Sequence, residues 1–297
     1  VAVIIGMAGN TRRIPQMENE ERLTSLQNPR IKSVVRLRDR RDRDREGRFI
    51  IEGFREISRA VESKLNLEEI FVCPDFYLGS NEATLLEFAQ SSLGTKVQTV
   101  SKDVFQKMSY RDRPDGLLAT APRPEWNLDR LSARIEKVKE SHKTPLLIVA
   151  QSIEKPGNLG TLLRTADAAA IDGLLVVDRC TDLFNPNVVR ASVGTLFTVP
   201  VAECSSDEAI LWLRNHKVKM VATSPDAESD YCDMDLTVPL AIIMGSEQYG
   251  LDERWLSETD DQVSIPMAGS ADSLNVAMAT AVVLFESLRQ RRTSTDE

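Results

Sequence analysis

Asn158, Arg164, Glu247, Ser273 and Asn275 lie in three glycine-containing turns, each preceded by an apolar run that reads as a buried strand. The turns are Glu154-Lys-Pro-Gly-Asn-Leu-Gly-Thr-Leu-Leu-Arg-Thr-Ala166, Ile242-Ile-Met-Gly-Ser-Glu-Gln-Tyr-Gly250 and Ser264-Ile-Pro-Met-Ala-Gly-Ser-Ala-Asp-Ser-Leu-Asn-Val-Ala-Met-Ala-Thr-Ala281. A guanidinium scarcely deprotonates, so Arg164 offers a fixed cation, placed one helical turn after Gly160 on the same face. Small side chains let a backbone approach a ligand closely, and the N–H groups that open a helix at Leu274 are unpaired donors. The plainer account makes these turns junctions of an ordinary α/β core. Asn158 and Ser273 are then helix caps, Arg164 is half of an ion pair, and Glu247 is a capping or interface acid.

Positioning these groups requires a sheet. In the second half, strands are expected at 145–153, 172–178, 198–203, 218–223, 239–246 and 261–266, with helices near 158–170, 186–193, 206–216, 251–257 and 274–292. That alternation predicts a mainly parallel sheet with helices on both faces, whose ligand sits beyond the strand C-termini. The final helix is apolar almost all round from Val276 to Leu288 and must be buried on several sides.

The first half is a smaller α/β pattern. A capped amphipathic helix turns Ile31, Val34, Val35 and Leu37 inward. Strands follow at 49–53, 69–73, 96–100 and 116–120, with helices at 54–63, 81–91 and 103–108. Between Arg30 and Arg48 lies the densest basic run, which includes Arg36, Arg38, Arg40, Arg41, Arg43, Arg45 and Arg48 interleaved with four acids. It is either a phosphate-contacting surface or a solvated face with intrahelical ion pairs. Residues 1–20 read as a flexible tail, 21–122 as the first domain, 123–143 as a stiff charged linker and 144–297 as the second domain.

The formal net charge of −8 and pI near 5.1 argue against a nucleic-acid partner until the chain is divided. Residues 1–143 hold 26 Lys/Arg against 22 Asp/Glu, whereas 144–297 hold 11 against 23. Capture of a polyanion therefore falls to the first half. Cys73, Cys180, Cys204 and Cys232 have no C-x-x-C spacing, and with only His142 and His216 beside them they offer neither a metal site nor a disulfide framework. No apolar run approaches the roughly 20 residues needed to cross a bilayer, so a cytoplasmic protein is expected. The chain begins at Val1, with Met7 and Met17 as candidate natural starts.

In their order and spacing the three turns resemble the motifs of the SpoU (TrmH) family of RNA ribose 2'-O-methyltransferases, over about residues 145–292. The resemblance implies S-adenosylmethionine as cofactor, no metal, a trefoil-knotted catalytic domain of the SPOUT class, a homodimer joined through the knot, and a ribosomal-L30e-like RNA-binding domain in the first half. It places Thr223, Gly245, Ile265, Met267 and Leu274 around the cofactor and makes Asn158, Arg164, Glu247, Ser273 and Asn275 the catalytic set. Arg190, in Arg190-Ala-Ser-Val-Gly-Thr-Leu-Phe197, is expected on RNA or a partner subunit. Family proposals make the motif arginine a general base; the chemistry of guanidinium favours electrostatic stabilisation and phosphate orientation for Arg164. Ribosomal RNA, large-subunit first, is favoured over transfer RNA. The rivals are a non-catalytic RNA-binding factor and a nicotinamide-dependent oxidoreductase; the latter is disfavoured because Gly157-Asn-Leu-Gly160 is not a G-x-G-x-x-G. The nucleotide modified, and a housekeeping as against an antibiotic-resistance role, are not encoded in these motifs.

Overall fold

The computed structural model describes residues 22–178 and 180–293; the tail expected over residues 1–20 lies outside them. The chain forms two compact units. One takes the residues up to Pro124 together with Asp182–Thr198, and the other takes Glu125–Thr181 together with the residues from Val199 onward.

In chain order the elements are α1 (Pro29–Arg36), α2 (Arg40–Glu46), β1 (Arg48–Glu52), α3 (Phe54–Glu62), β2 (Glu69–Val72), α4 (Glu82–Leu93), β3 (Lys96–Thr99), α5 (Lys102–Met108) and β4 (Leu117–Pro122). Next come α6 (Leu128–Glu140), β5 (Leu146–Gln151), α7 (Pro156–Ala168), β6 (Gly173–Val177) and α8 (Pro186–Ala191). The remainder are β7 (Val201–Cys204), α9 (Ser206–Asn215), β8 (Lys219–Thr223), β9 (Ser229–Asp230), β10 (Leu240–Met244), α10 (Glu253–Glu258), β11 (Asp261–Ser264) and α11 (Val276–Thr293).

The first unit carries a four-stranded sheet in the order β1-β4-β2-β3, with β4 antiparallel to both neighbours and β2 parallel to β3. Asn28 caps α1 by accepting from the Arg30 N–H at 2.9 Å, and Pro29 opens the helix. Ile31, Val34 and Leu37 then reach a core containing Phe71, Phe105 and Met108. Asp182–Thr198, expected in the second domain, belongs to this unit. Asp182 accepts from Arg43 Nε and Nη2 at 2.9 and 2.6 Å, and the Phe184 ring lies 4.6 Å from that of Phe49. At Gly194 the backbone runs so close to Glu56 that an added Cβ would lie 2.9 Å from its Cα.

The second unit carries a seven-stranded sheet in the order β7-β6-β5-β10-β8-β11-β9, with every pairing parallel. All residues of β5 and β10 are buried, as central strands covered on both faces require. The short β9 was not foreseen. Helix α6, expected as a linker, is built into this unit: Leu131 and Ile135 join Leu147, Val149 and Trp212 in one core. Its charge hid the apolar stripe Leu131, Ile135, Val138, which is buried. Trp255 of α10 is fully buried, and its Nε1 donates to Ser206 Oγ at 2.6 Å. Helix α11 packs on α7 and β10, but Met278 and Phe285 remain about half exposed. No helix among the described residues is long and apolar enough to cross a membrane.

Candidate active site

The register explains why three turns far apart in sequence meet. Strands β5, β10, β8 and β11 are neighbours and parallel, pairing Ala150 with Met244, Ala222 with Ile243 and Thr223 with Val263. Their C-terminal ends, and so the turns that follow them, share one edge of the sheet.

There the side chains of all three turns join. Asn275 Oδ1 accepts from the Ala277 N–H at 3.0 Å, which leaves its amide to donate to Asn158 Oδ1 at 3.1 Å. The Asn158 amide in turn donates to Glu247 Oε1. Each amide therefore has one consistent orientation, fixed from the α11 end. Asn158 is the third residue of α7, behind Lys155 at the cap and Pro156, so it is no N-cap. The capping role falls to Asn275. Ser273 is exposed and makes no hydrogen bond among the described residues.

Beside this chain of bonds lies a cleft of about 620 Å³, a size suited to a small organic ligand. Thr223, Gly245, Ile265, Met267 and Leu274, the five expected cofactor residues, all line it, together with Glu247, Ser273 and Asn275. Lys155, Asp226, Met244, Tyr249 and Leu256 line it too and were not anticipated. Met244 and Tyr249 lie inside the second turn, where its glycines drew the attention; Leu256 comes from α10, which carried no site signal.

Three features suit the cleft to S-adenosylmethionine. The wall from Ile265 to Leu274 makes no hydrogen bond to the rest of the chain among the described residues, so its backbone donors and acceptors are available to a heterocycle. Thr223 Oγ1 is buried without a partner, an unfavourable state that a ligand polar atom would relieve. Apolar Met244, Leu256, Ile265 and Met267 stand beside carboxylates of Asp226, Glu247 and Asp272, a combination suited to an adenosine attached to a cationic methionine. Gly245 has a further reason to be glycine. An added Cβ would lie 2.2 Å from Gly250 C and 2.4 Å from Leu251 N, because the loop closes on itself through two Ser246–Gly250 backbone bonds of 3.0 and 3.1 Å.

Arg164 is exposed on α7 and makes no hydrogen bond or ion pair among the described residues. It stands six residues after Asn158, about 9 Å along the helix and 120° around it. The bonded trio therefore excludes it, and its charge is free for a phosphate or oxyanion. Burial pushes the thiols of Cys180 and Cys204 up to about 11 and about 12, which suppresses their thiolate forms.

The basic run of the first unit divides. Arg43 is 1% exposed and held by Asp182 and the carbonyls of Leu37 and Arg38, so the expectation that it meets RNA is corrected: it is a core cation. Arg38 donates to the carbonyls of Lys107 and Ser109, and Arg48 pairs with Glu68 at 2.6 Å. Arg36, Arg40 and Arg45 are exposed beside Glu46, Asp44 and Asp42 respectively. Arg41 and Arg190 are exposed with no partner among the described residues.

Comparison with known proteins agrees with this geometry. The SpoU rRNA Methylase family model matches residues 145–285, and the MRM3-like substrate binding domain matches residues 28–119. The 23S rRNA (uridine(2479)-2'-O)-methyltransferase of Streptomyces viridochromogenes is 32% identical over 86% of this chain and 87% of its own length. A crystal structure of an RNA 2'-O ribose methyltransferase is 40% identical, covering 92% of this chain and 100% of that one with a TM-score of 0.76. The AdoMet-bound rRNA methyltransferase from Sinorhizobium meliloti is 30% identical, covering 91% and 97%, with a TM-score of 0.80. With the family model spanning all three turns of the cleft and a relative 32% identical along both units, this chain belongs to the SpoU rRNA methylase family.

Proposed function

We infer that this protein transfers a methyl group from S-adenosylmethionine to a ribose 2'-hydroxyl of RNA. The observation that carries the reading is the bonded chain Asn275–Asn158–Glu247, which ties the three family turns together at the rim of a cleft with an unbonded backbone wall. When bound, S-adenosylmethionine supplies an activated methyl group. Thr223, Gly245, Ile265, Met267 and Leu274 would hold it. Asn158 and Glu247 fix one another and present a polar rim to the ribose, and Ser273 adds a free hydroxyl. Arg164 supplies a fixed positive charge for the substrate phosphate and for the oxygen that becomes anionic as its proton leaves. Holding both reactants in register is worth several kcal/mol of the barrier by itself.

The substrate we propose is ribosomal RNA, large-subunit first, as the names of the relatives suggest. Capture falls to the first unit, through Arg36, Arg40, Arg41, Arg45 and Arg190. We further propose a trefoil knot around the third turn, a cytoplasmic location, and a homodimer formed over α11. The half-exposed Met278 and Phe285, seven residues apart on one helix face, favour a second copy as the cover.

The test pairs calorimetric titration of S-adenosylmethionine with methyl transfer to ribosomal RNA. Arg164→Ala should bind the cofactor as the parent does and lose transfer by about a hundredfold or more. Failure of the parent to bind S-adenosylmethionine would overturn the reading and favour an RNA-binding factor that kept the fold.

A further inference from the structure

The first unit contains a second pocket, of about 530 Å³, lined by Phe54, Arg55, Asn81, Arg111, Asp115 and Arg190 among others. Two of its three acids, Glu56 and Asp115, face the Arg111 guanidinium, and the third, Glu82, accepts a backbone N–H. Glu56 accepts from Arg111 at 2.6 Å, Asp115 from the Phe54 N–H at 2.9 Å, and Glu82 from the Gly79 N–H at 2.9 Å. Arg55 and Arg190 are exposed, and neither has a hydrogen bond or ion pair among the described residues. Most other arginines of this unit face a carboxylate or a carbonyl, as Arg30, Arg40, Arg45, Arg48 and Arg59 do. The pocket therefore presents to solvent two guanidinium groups with no direct partner among the described residues.

Its other lining groups favour one kind of guest. Phe54, a partly buried aromatic residue, lines the pocket. The Asn81 side chain does not cap α4 and makes no hydrogen bond among the described residues. Asp115 Oδ1 and Arg111 Nε are buried without partners, an unpaired acceptor and an unpaired donor in the same wall. Stacking surface, free amide and paired cations are what an RNA base, its edge and the flanking phosphates require once the nucleotide is out of a helix.

Resting on the RNA reading above, we propose that this pocket receives one unstacked nucleotide of the substrate RNA. Arg55 and Arg190 hold the phosphates on either side, Phe54 stacks on the base and Asn81 contacts its edge. The anchor selects a single-stranded loop or bulge, whereas the arginines of α2 contribute to capture of the RNA without selecting its shape.

The test is binding of a labelled single-stranded RNA of about 12 nucleotides, followed from about 50 to 200 mM salt. The variant Arg55→Ala/Arg190→Ala should bind about tenfold or more weakly, with the slope of log K against log salt reduced by about 1.4, or 0.7 for each phosphate lost. Lys32→Ala/Lys64→Ala removes the same net charge elsewhere in the unit and should change affinity by less than about twofold. Phe54→Ala should weaken binding about fivefold or more, and Phe54→Tyr should restore it. Equal loss in the two double variants, or a blunt RNA duplex competing as well as the single strand, would overturn the proposal. Methyl transfer to ribosomal RNA separates the two levels: a parent active on RNA but insensitive to Arg55 and Arg190 sinks the pocket alone, and a parent inactive on any RNA sinks both.

Discussion

Gly245→Ala adds one methyl group at the point where the second turn folds onto itself. The new Cβ would lie 2.2 Å from Gly250 C, against a floor of 3.0 Å, so one strand of the loop must move by at least 0.8 Å. The far side cannot yield easily. Leu251 is buried, Asp252 is bonded to Gln151 and caps α10 through the Trp255 N–H at 3.0 Å, and Trp255 is fully buried. The near side, Gly245 to Gln248, therefore shifts into the cleft and weakens the two Ser246–Gly250 backbone bonds. Two hydrogen bonds at about 1 kcal/mol net each, with about 1 kcal/mol or more for overpacking, give about 3 kcal/mol. Divided between folding and binding, this weakens cofactor affinity by about tenfold or more with a modest loss of thermal stability. Calorimetric titration with S-adenosylmethionine and thermal unfolding measure the two parts. Gly157→Ala is the control, since its Cβ meets nothing within 4 Å and it lies in α7; it should raise stability by up to about 1 kcal/mol. Cofactor affinity within twofold of the parent and an unchanged unfolding temperature for Gly245→Ala would refute the argument from loop closure.

Two further outcomes follow from hydrogen-bonded carboxylates. Arg43→Leu leaves Asp182 buried without its cation and should destabilise the first unit by about 3 to 5 kcal/mol in chemical denaturation, whereas Arg43→Leu/Asp182→Leu should lose much less; equal losses would contradict the pairing. Burial pushes the Asp178 carboxyl up, but bonds from Ser206 Oγ, Gln151 and the Ser206 N–H together hold it below the ordinary value. Its contribution is thus present above about pH 4 and lost as pH falls through the lower folded value. Ser206→Ala also orphans the Trp255 indole Nε1–H, so it should lose about 2 kcal/mol at neutral pH and less at pH about 3. A loss that does not change with pH would separate Asp178 from the effect.

The second unit was legible because its strands are continuous apolar runs and its turns carry glycine and polar residues at their ends. Periodicity found β5, β10 and β11 but could not say that β10 lies between β5 and β8, which is what closes the cleft. That order is visible only in the structure. Asn158 was expected as a site residue from its motif, but its bonded partners, Glu247 and Asn275, are 89 and 117 residues away and leave no local mark. Arg43 failed for a related reason. In a run with arginine at nearly every second position nothing distinguishes the one turned inward, and its partner Asp182 lies 139 residues further on. Arg55 stood alone outside the basic run, so density of charge pointed away from it.

The central position of β10 has a consequence for how the chain is made. Its neighbour β5 leaves the ribosome first and is followed by β6 and β7, which extend the sheet on one side only. The other flank of β5 stays open until Leu240–Met244 has been synthesised, and the rim of the cleft waits longer still, for Asn275. Pairings so distant in sequence are slow to form, and until they do an apolar strand edge lies exposed. A nascent chain that stops before Asn275 would lack the bond to Asn158 and with it the closed rim of the cleft.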